Sequence, residues 1–191
     1  MKTNIRVLLL ILTLLFLGTA LTIRHTVTDT DILELDTKYL NKNLLKKENL
    51  VNEIFSDSLL LKTFDNSENY PLHVKDIAKK YLDQHVYLYI YKNNTPIFWA
   101  TNSYVPTKLS TFSKQTSYIQ EENSSYVAKE KELSNGKKLL ALIPIEQEFI
   151  SLKNSKKKKL LDYLQADNIE IAQFSDSENI RNIYSPDDWL L

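Results

Sequence analysis

The stretch VYLYIYKNNTPIFWATNS, residues 86–103, decides the fold. Tyrosine residues alternate with aliphatic residues over 86–92, which is typical of a strand with one aliphatic and one aromatic face. Asn93 and Asn94 tolerate positive φ, so they predict a two-residue turn. Residues 96–101 then return as a second strand, and an antiparallel hairpin is expected here.

The register of this hairpin assigns a role to each face. We expect Tyr91 opposite Pro96 and Tyr89 opposite Phe98, and a slip by one residue would exchange the two faces. The aliphatic face, on which Trp99 also falls, is the expected core by its composition. The tyrosine face keeps hydroxyl groups for a polar partner, although burial of both faces is an alternative. The candidate ligand-binding residues are Tyr87, Tyr89, Tyr91, Trp99 and Asn102.

Further helices and strands are predicted around this hairpin. Residues 71–85 have the apolar spacing of a short helix, and the turn at 134–136 joins two more strands in a second hairpin. We expect a helix again from Lys156 onward and a short strand at 169–174. Because neighbouring strands in the sequence favour antiparallel pairing, this order predicts an α+β domain with helices on one side of an antiparallel sheet.

The N-terminal segment carries the strongest indication of membrane contact. Lys2 and Arg6 precede an uncharged apolar run over residues 7–23, near the lower limit of about 17 residues for crossing a bilayer. The two basic residues favour a cytoplasmic N-terminus and export of the rest. A cleaved signal peptide is the alternative, since residues 18–20 resemble a cleavage site, but its apolar core is usually about 7–15 residues. We expect an uncleaved anchor in the membrane.

A long helix is expected between this anchor and the hairpin, over residues 29–64, which contain neither Pro nor Gly. One apolar stripe runs along it, formed by Leu33, Leu40, Leu44, Val51 and Ile54. The stripe can pack on its own domain or on a second copy, and the second alternative predicts a homodimer through this stalk helix. The expected organisation is an anchor at 1–24, the stalk helix at 25–66 and an extracytoplasmic domain at 67–191.

Composition excludes several function classes. Lys and Arg together number 24, as do Asp and Glu, so the chain lacks the basic excess that nucleic-acid binding usually requires. The absence of cysteine excludes disulfides, thiolate catalysis and cysteine metal sites. The two glycines, Gly18 and Gly136, cannot form a glycine-rich phosphate loop. We therefore expect no nucleic-acid partner and no nucleotide bound through such loops.

No catalytic pattern is present in the sequence. His25, His73 and His85 have no metal-ligand spacing, and we expect them to be solvent-exposed or capping. No serine lies in a GxSxG motif, and the adjacent acidic pairs tend to point in different directions. We expect a non-catalytic chain without catalytic residues, metal or cofactor.

Three segments, in their order along the chain, resemble the extracytoplasmic sensor region of membrane histidine kinases of the Bacteroidetes type. The first combines IYKNN at 90–94 with WATNS at 99–103. The second combines YVAKEK at 126–131 with a turn and an apolar strand over 135–148. The third is the segment 169–191, which is similar to a strand followed by an IYS motif and a small turn.

This resemblance implies a PAS-like or Cache-like antiparallel sheet behind a long helix. It further implies the sensor, or input, module of a two-component signal-transduction receptor that binds a ligand or a protein. Such a module is anchored in the bacterial inner membrane, here as a single pass through residues 7–23, with the C-terminal domain in the periplasm. In these kinases a second membrane helix, a phospho-accepting histidine segment and an ATPase domain follow. This sequence departs from the pattern because it contains none of them, so we expect the input part of a longer receptor without kinase activity of its own.

Two other function classes remain open at this stage. The first is a membrane-anchored periplasmic interaction or oligomerisation protein without a small-molecule ligand. Its discriminating property is the oligomeric state, since the stripe on the stalk helix would form the contact between copies. The second is an extracytoplasmic enzyme, which would need two converging acidic groups that the sequence does not indicate.

Overall fold

The structure is a computed structural model of the chain. It describes residues 2–26, 28–66, 71–102, 106, 116–121, 123–134, 136–150, 156–172, 176 and 180–184. Parts of the predicted motifs lie outside these residues, namely Ser103, Asn135 and residues 173–175, 177–179 and 185–191. The described helices are α1 (Lys2–Thr26), α2 (Asp29–Ser56), α3 (Ser58–Asp65) and α4 (Pro71–Leu82).

The first helix is apolar along most of its length. Its segment Asn4–Thr22 is long and apolar enough to cross a membrane, and a signal sequence would have the same character. A separate helix follows after a short interruption, because Thr28 caps the N-terminus of α2. The Thr28 side chain accepts a hydrogen bond from the backbone N of Asp31, whose carboxylate accepts one from the backbone N of Thr28. This reciprocal capping fixes where α2 begins.

The single helix predicted over residues 29–64 is two helices in the structure. Asp57 lies between them in an extended conformation, and its carboxylate accepts hydrogen bonds from the backbone N of Leu59 at 2.9 Å and of Leu60 at 3.0 Å. An Asp side chain that satisfies these amides starts a new helix instead of continuing the old one. The chain therefore turns at Asp57, and α3 follows as a separate short helix.

The apolar stripe of α2 packs on its own domain. Leu40, Leu44, Val51 and Ile54 are buried in the same core as residues of the sheet. Phe64 of α3 and side chains from α4 join this core. The alternative in which the stripe packs on its own domain is therefore the one observed, and a contact between copies has to use another surface of α2.

Within the described ranges, six antiparallel strands form one sheet. They are β1 (Tyr87–Lys92), β2 (Thr95–Trp99), β3 (Ser117–Gln120), β4 (Ser124–Glu132), β5 (Lys137–Ile150) and β6 (Lys156–Leu160). The main strand order is β2-β1-β5-β4-β3, and β6 also pairs with β5. The first half of β5 pairs with β1 and its end pairs with β6, while β4 runs along the opposite side. Both predicted hairpins are present, and β3 is a strand within a region that the sequence left irregular.

The turns of the two hairpins contact each other. Asn93 and Asn94 both have positive φ, as predicted for the first turn. The backbone N of Asn93 donates a hydrogen bond to the carbonyl of Gly136 in the second turn at 3.2 Å. Gly136 has φ +72°, and a Cβ at this residue would lie only 2.8 Å from Oδ1 of Asn93. The positive φ favours glycine at this position, and a larger residue would also displace the Asn93 side chain.

The sheet has two chemically different faces. The helix face carries aliphatic residues such as Leu88, Ile90 and Ile143, which pack against α2, α3 and α4. The opposite face carries a second cluster of buried residues: Tyr89, Tyr91, Tyr126, Ala128, Leu140 and Leu142. We call this second surface the tyrosine face. The expected aliphatic core is confirmed, and the tyrosine face is buried as well.

The predicted register of the first hairpin holds only near its turn. Tyr91 lies opposite Pro96 as expected, but an irregularity then shifts the pairing so that Tyr89 faces Trp99 and Ile90 faces Phe98. One extra residue in β2 exchanges the two faces beyond it. The assignment of Trp99 to the aliphatic face is therefore wrong, and Phe98 packs against the helix-side core instead.

Two predicted elements near the C-terminus are also wrong. Residues from Lys156 form strand β6, where a helix was predicted, because β1 ends its pairing at Leu142 and leaves the edge of β5 open from Glu146 onward. That open edge overrides the helix propensity of the lysine run. Residues 169–172 belong to no strand; they lie beside α2 and line a cavity.

Candidate functional site

A cavity of about 290 Å³ lies beside the N-terminal half of α2. It is lined by α2, by side chains of β3, β5 and β6, and by residues 169–172 and 180–183. We call it the α2 cavity. Leucine and isoleucine dominate its walls, among them Leu33, Leu40, Leu44, Ile145, Ile171 and Ile183. Its size and apolar lining are those of a site for a small ligand.

Hydrogen bonds between α2 and the chain after β6 shape this cavity. The carboxylate of Asp36 accepts from the backbone N of Asn168 at 3.0 Å and from its side-chain Nδ2 at 3.2 Å. Asn43 donates from Nδ2 to the carbonyl of Leu164 at 3.1 Å, in the interior. Leu164 ends a short 3₁₀ turn, and Gln165 after it has positive φ, which redirects the chain along α2. The chain is thus held against α2 just before it forms a wall of the cavity.

Several polar side chains also line the cavity. They are Thr37, Tyr118, Gln120, Glu170, Arg181 and Asn182. Burial raises the pKa of Tyr118, and the nearby carboxylate of Glu146 raises it further, so the phenol stays protonated at neutral pH. Glu170 and Arg181 are exposed and bring one charge of each sign. The cavity can therefore bind a ligand that combines an aliphatic part with polar or charged groups.

Acidic and metal-ligating side chains are few among the described residues that line the cavity. Within the described ranges no group of three or more His, Cys, Asp or Glu residues could hold a metal ion. The only carboxylate among the lining residues described above is Glu170, so two converging acidic groups are not brought together there. The polar groups that are present can donate and accept hydrogen bonds.

The predicted ligand-binding tyrosines lie on the other side of the sheet. Tyr89 and Tyr91 are 0 % exposed, and Tyr87 is half-buried beside them. The hydroxyl of Tyr91 donates to the carbonyl of Pro106 at 2.6 Å, and burial raises its pKa to about 12. These side chains are placed as core residues, which corresponds to the alternative in which both faces of the hairpin are buried.

Trp99 and Asn102, the other two predicted residues, form a pair at the surface. The indole Nε1 of Trp99 donates to Oδ1 of Asn102 at 2.6 Å, and Trp99 remains 46 % exposed. Trp99 shares the tyrosine face with Tyr89, its partner across the strands. None of the five predicted residues lines the α2 cavity, and their role in ligand binding stays a prediction.

Two charged residues of β4 point to opposite faces of the sheet. Lys129 reaches the helix face, where its Nζ lies 3.4 Å from Oε2 of Glu48 and donates to Oδ1 of Asn52 at 3.2 Å. Glu130 points to the tyrosine face, where it forms an ion pair with Lys138 at 2.7 Å. The Glu48 and Lys129 side chains are 1 % and 8 % exposed, so this ion pair is inside the protein.

His85 caps the C-terminal end of α4, which is the capping alternative: its backbone N donates to the carbonyl of Leu82 at 2.9 Å, and the next backbone N, of Val86, donates to the carbonyl of Tyr81 at 3.0 Å. It is half-buried with φ 57°, and its ring stacks on that of Tyr163 with the centroids 4.7 Å apart. The ammonium group of Lys47 lies 5.3 Å from the centroid of the Tyr163 ring. Burial and the charge of Lys47 lower the pKa of His85. His73 is exposed as expected.

Most of the residues that line the cavity were missed by sequence reasoning. Tyr118 lies in a stretch without clear periodicity, and Arg181 and Ile183 belong to a segment without regular secondary structure. The apolar stripe on α2 was the one sequence pattern that indicated part of the cavity, because its residues Leu33, Leu40 and Leu44 line it. The stripe identified the helix wall of the site but not the chain that faces it.

Comparison with family models, with curated proteins and with solved structures finds no match for this chain.

Proposed function

We propose that this chain is a membrane-anchored extracytoplasmic sensor module that binds a small molecule in the α2 cavity. One observation carries the proposal: the helix that forms a wall of the cavity is also the helix that follows the candidate membrane span. α1 ends at Thr26 and α2 begins at Asp29. A ligand that changes how α2 packs therefore acts on the first element after the anchor.

The mechanism is a difference in ligand affinity between two positions of α2. Leu33 lies about 6 Å along the helix axis from Asp29, at a rise of roughly 1.5 Å per residue. A ligand in contact with Leu33 and Thr37 thus touches the second and third turns of α2. If it binds one position of the helix more tightly than another, it shifts the population towards that position. A helix shift of about 1–2 Å is a common size for such transitions.

The proposed domain type is PAS-like or Cache-like, as the sequence resemblance implies. In support, the sheet is antiparallel, with the strand order β2-β1-β5-β4-β3. Helices that precede the sheet in sequence cover one of its faces, which agrees with a sheet behind a long helix. The resemblance to sensor kinases makes a two-component receptor the proposed context, with this chain as its non-catalytic input module in the bacterial inner membrane.

A homodimer through α2 is part of the proposal, but with a different surface from the predicted stripe. The outer face of α2 exposes Leu35, Tyr39 and Leu45 among charged residues. This surface is also what would favour the alternative function, an interaction protein without a ligand. Light scattering of the full chain in detergent measures whether it is a dimer. Dissociation of a dimer by Leu35→Glu would support this contact. A monomer at all concentrations would contradict it.

The sensor proposal is tested with the full chain in lipid nanodiscs. We expect at least one compound in a library of water-soluble metabolites to raise the melting temperature and to slow hydrogen exchange of amides in the N-terminal half of α2. Thr37→Phe, which fills the cavity, should abolish both effects, whereas Thr63→Phe on α3 leaves them unchanged. A ligand that stabilises the protein without changing exchange in α2 contradicts the proposed mechanism.

A further inference from the structure

The rim of the α2 cavity carries one acidic and one basic side chain that do not pair with each other. Glu170 and Arg181 both line the cavity and both are exposed. The hydrogen bond described for Arg181 runs from Nη1 to the carbonyl of the preceding Ile180, at 3.0 Å. No ion pair joins Glu170 or Arg181 to another residue in the part of the chain that the structure describes. Both charges therefore remain available to a ligand.

From this arrangement we infer that the cavity binds an aliphatic amino acid, with its side chain inside and its two charged groups at the rim. The planar guanidinium of Arg181 suits the carboxylate, to which it can donate two parallel hydrogen bonds. The carboxylate of Glu170 suits the ammonium group. The leucine and isoleucine walls, such as Leu40 and Ile183, suit an aliphatic side chain. This inference rests on the proposed sensor function and names the chemical class of its ligand.

The size of the cavity agrees with this class. About 290 Å³ lies at the lower end of the ~300–1,000 Å³ of pockets that bind small molecules. A simple aliphatic acid or amine would leave one of the two rim charges without a partner.

Three compounds with the same isobutyl group separate the contributions of the two charges. They are L-leucine, isocaproate, which lacks the ammonium group, and isoamylamine, which lacks the carboxylate. Titration calorimetry with the full chain in nanodiscs measures their affinities, and glycine tests the aliphatic part. We expect L-leucine to bind about tenfold more tightly than either analogue, since each loses hydrogen bonds to a charged group. Glycine should bind still more weakly.

Two exposed substitutions assign each charge to its partner. Arg181→Gln should lower the affinity for L-leucine and isocaproate about tenfold and leave isoamylamine unchanged. Glu170→Gln should lower the affinity for L-leucine and isoamylamine and leave isocaproate at least as tight. Lys42→Gln and Glu53→Gln are matched controls, because both residues are exposed elsewhere on α2 and should change none of the affinities.

The possible results also distinguish this inference from the sensor proposal. Equal affinity for L-leucine and one analogue, or no effect of either rim substitution, overturns the amino-acid assignment. Absence of binding by all four compounds overturns it too, while a different metabolite that protects α2 leaves the sensor function standing. Tight binding of L-leucine without protection of α2 keeps the site and contradicts the sensor mechanism.

Discussion

The two halves of α2 carry the same apolar stripe but face different surroundings. In the C-terminal half, Val51 and Ile54 are buried against the sheet, and Glu48 reaches Lys129 of β4. In the N-terminal half, Leu33 and Thr37 line a cavity. A polar surface pocket also borders the C-terminal half, at Lys46, Leu50 and Glu53, but the stripe itself is packed on the sheet there. In the N-terminal half the stripe borders an apolar cavity, which leaves this end of the helix more room to shift. This difference fits a helix that responds to a ligand near its N-terminus.

The largest expected effect comes from the buried ion pair of the C-terminal half. Glu48→Leu should lower the free energy of unfolding by about 3–5 kcal/mol, because Lys129 would keep a buried charge without its carboxylate partner. Urea unfolding of the full chain in detergent, followed by tryptophan fluorescence, measures the change. The double variant Glu48→Leu with Lys129→Met should recover most of the loss, since no buried charge then remains. A single substitution that costs nothing would show that this end of α2 is not held by the pair.

A pair of truncations compares the two halves directly. Ile54→Ala should cost about 2–5 kcal/mol of unfolding free energy, the usual range for a fully buried aliphatic residue. Leu33→Ala should cost less, roughly 1 kcal/mol, because Leu33 is only half-buried and already borders empty space. The same urea titration measures both. Equal losses would mean that the N-terminal half is packed as closely as the C-terminal half.

The smallest expected effect is a pH dependence at the C-terminal half, where His85, Tyr163 and Lys47 meet. The pKa of His85 is lowered by burial and by the charge of Lys47. Below about pH 6.5 the unfolded chain takes up a proton that the folded chain resists, so acidification lowers stability until the folded pKa is passed. Above that pH the contribution is constant, because the ring is neutral in both states.

His85→Asn isolates this contribution, since Asn tolerates the positive φ of the position and does not titrate. Unfolding free energies between about pH 5 and pH 8 should fall less steeply on the acid side in the variant than in the natural chain. Identical profiles would show that the pKa of His85 is the same in the folded and unfolded states.

Local patterns predicted the pairing of neighbouring elements well. Alternation around Asn93 and Asn94 identified the first hairpin, and the turn near Gly136 identified the second. Helical spacing identified α2, although not its end at Asp57. These features depend on residues close together in sequence, where side-chain direction and turn conformation decide the outcome.

Features that depend on distant residues were not predicted. Residues 156–160 form β6 because β5 extends beyond the end of β1 and offers an unpaired edge. The local sequence of residues 156–160 does not indicate that such an edge is present. The bulge that moves Trp99 to the tyrosine face is also a property of the assembled sheet. The candidate site was missed for the same reason, since Tyr118, Glu170 and Arg181 meet only after the chain returns to α2.

The contact between Asn93 and Gly136 has a consequence for how the sheet is made during synthesis. β1 lies next to β5 in the sheet, so the first hairpin emerges long before its neighbour and exposes an unpaired edge until then. When β5 arrives, the hydrogen bond from Asn93 to Gly136 joins the two turns at one end of the long strand. From that end the pairing of β1 with β5 can proceed one residue at a time, which protects the tyrosine-rich edge from pairing with another chain.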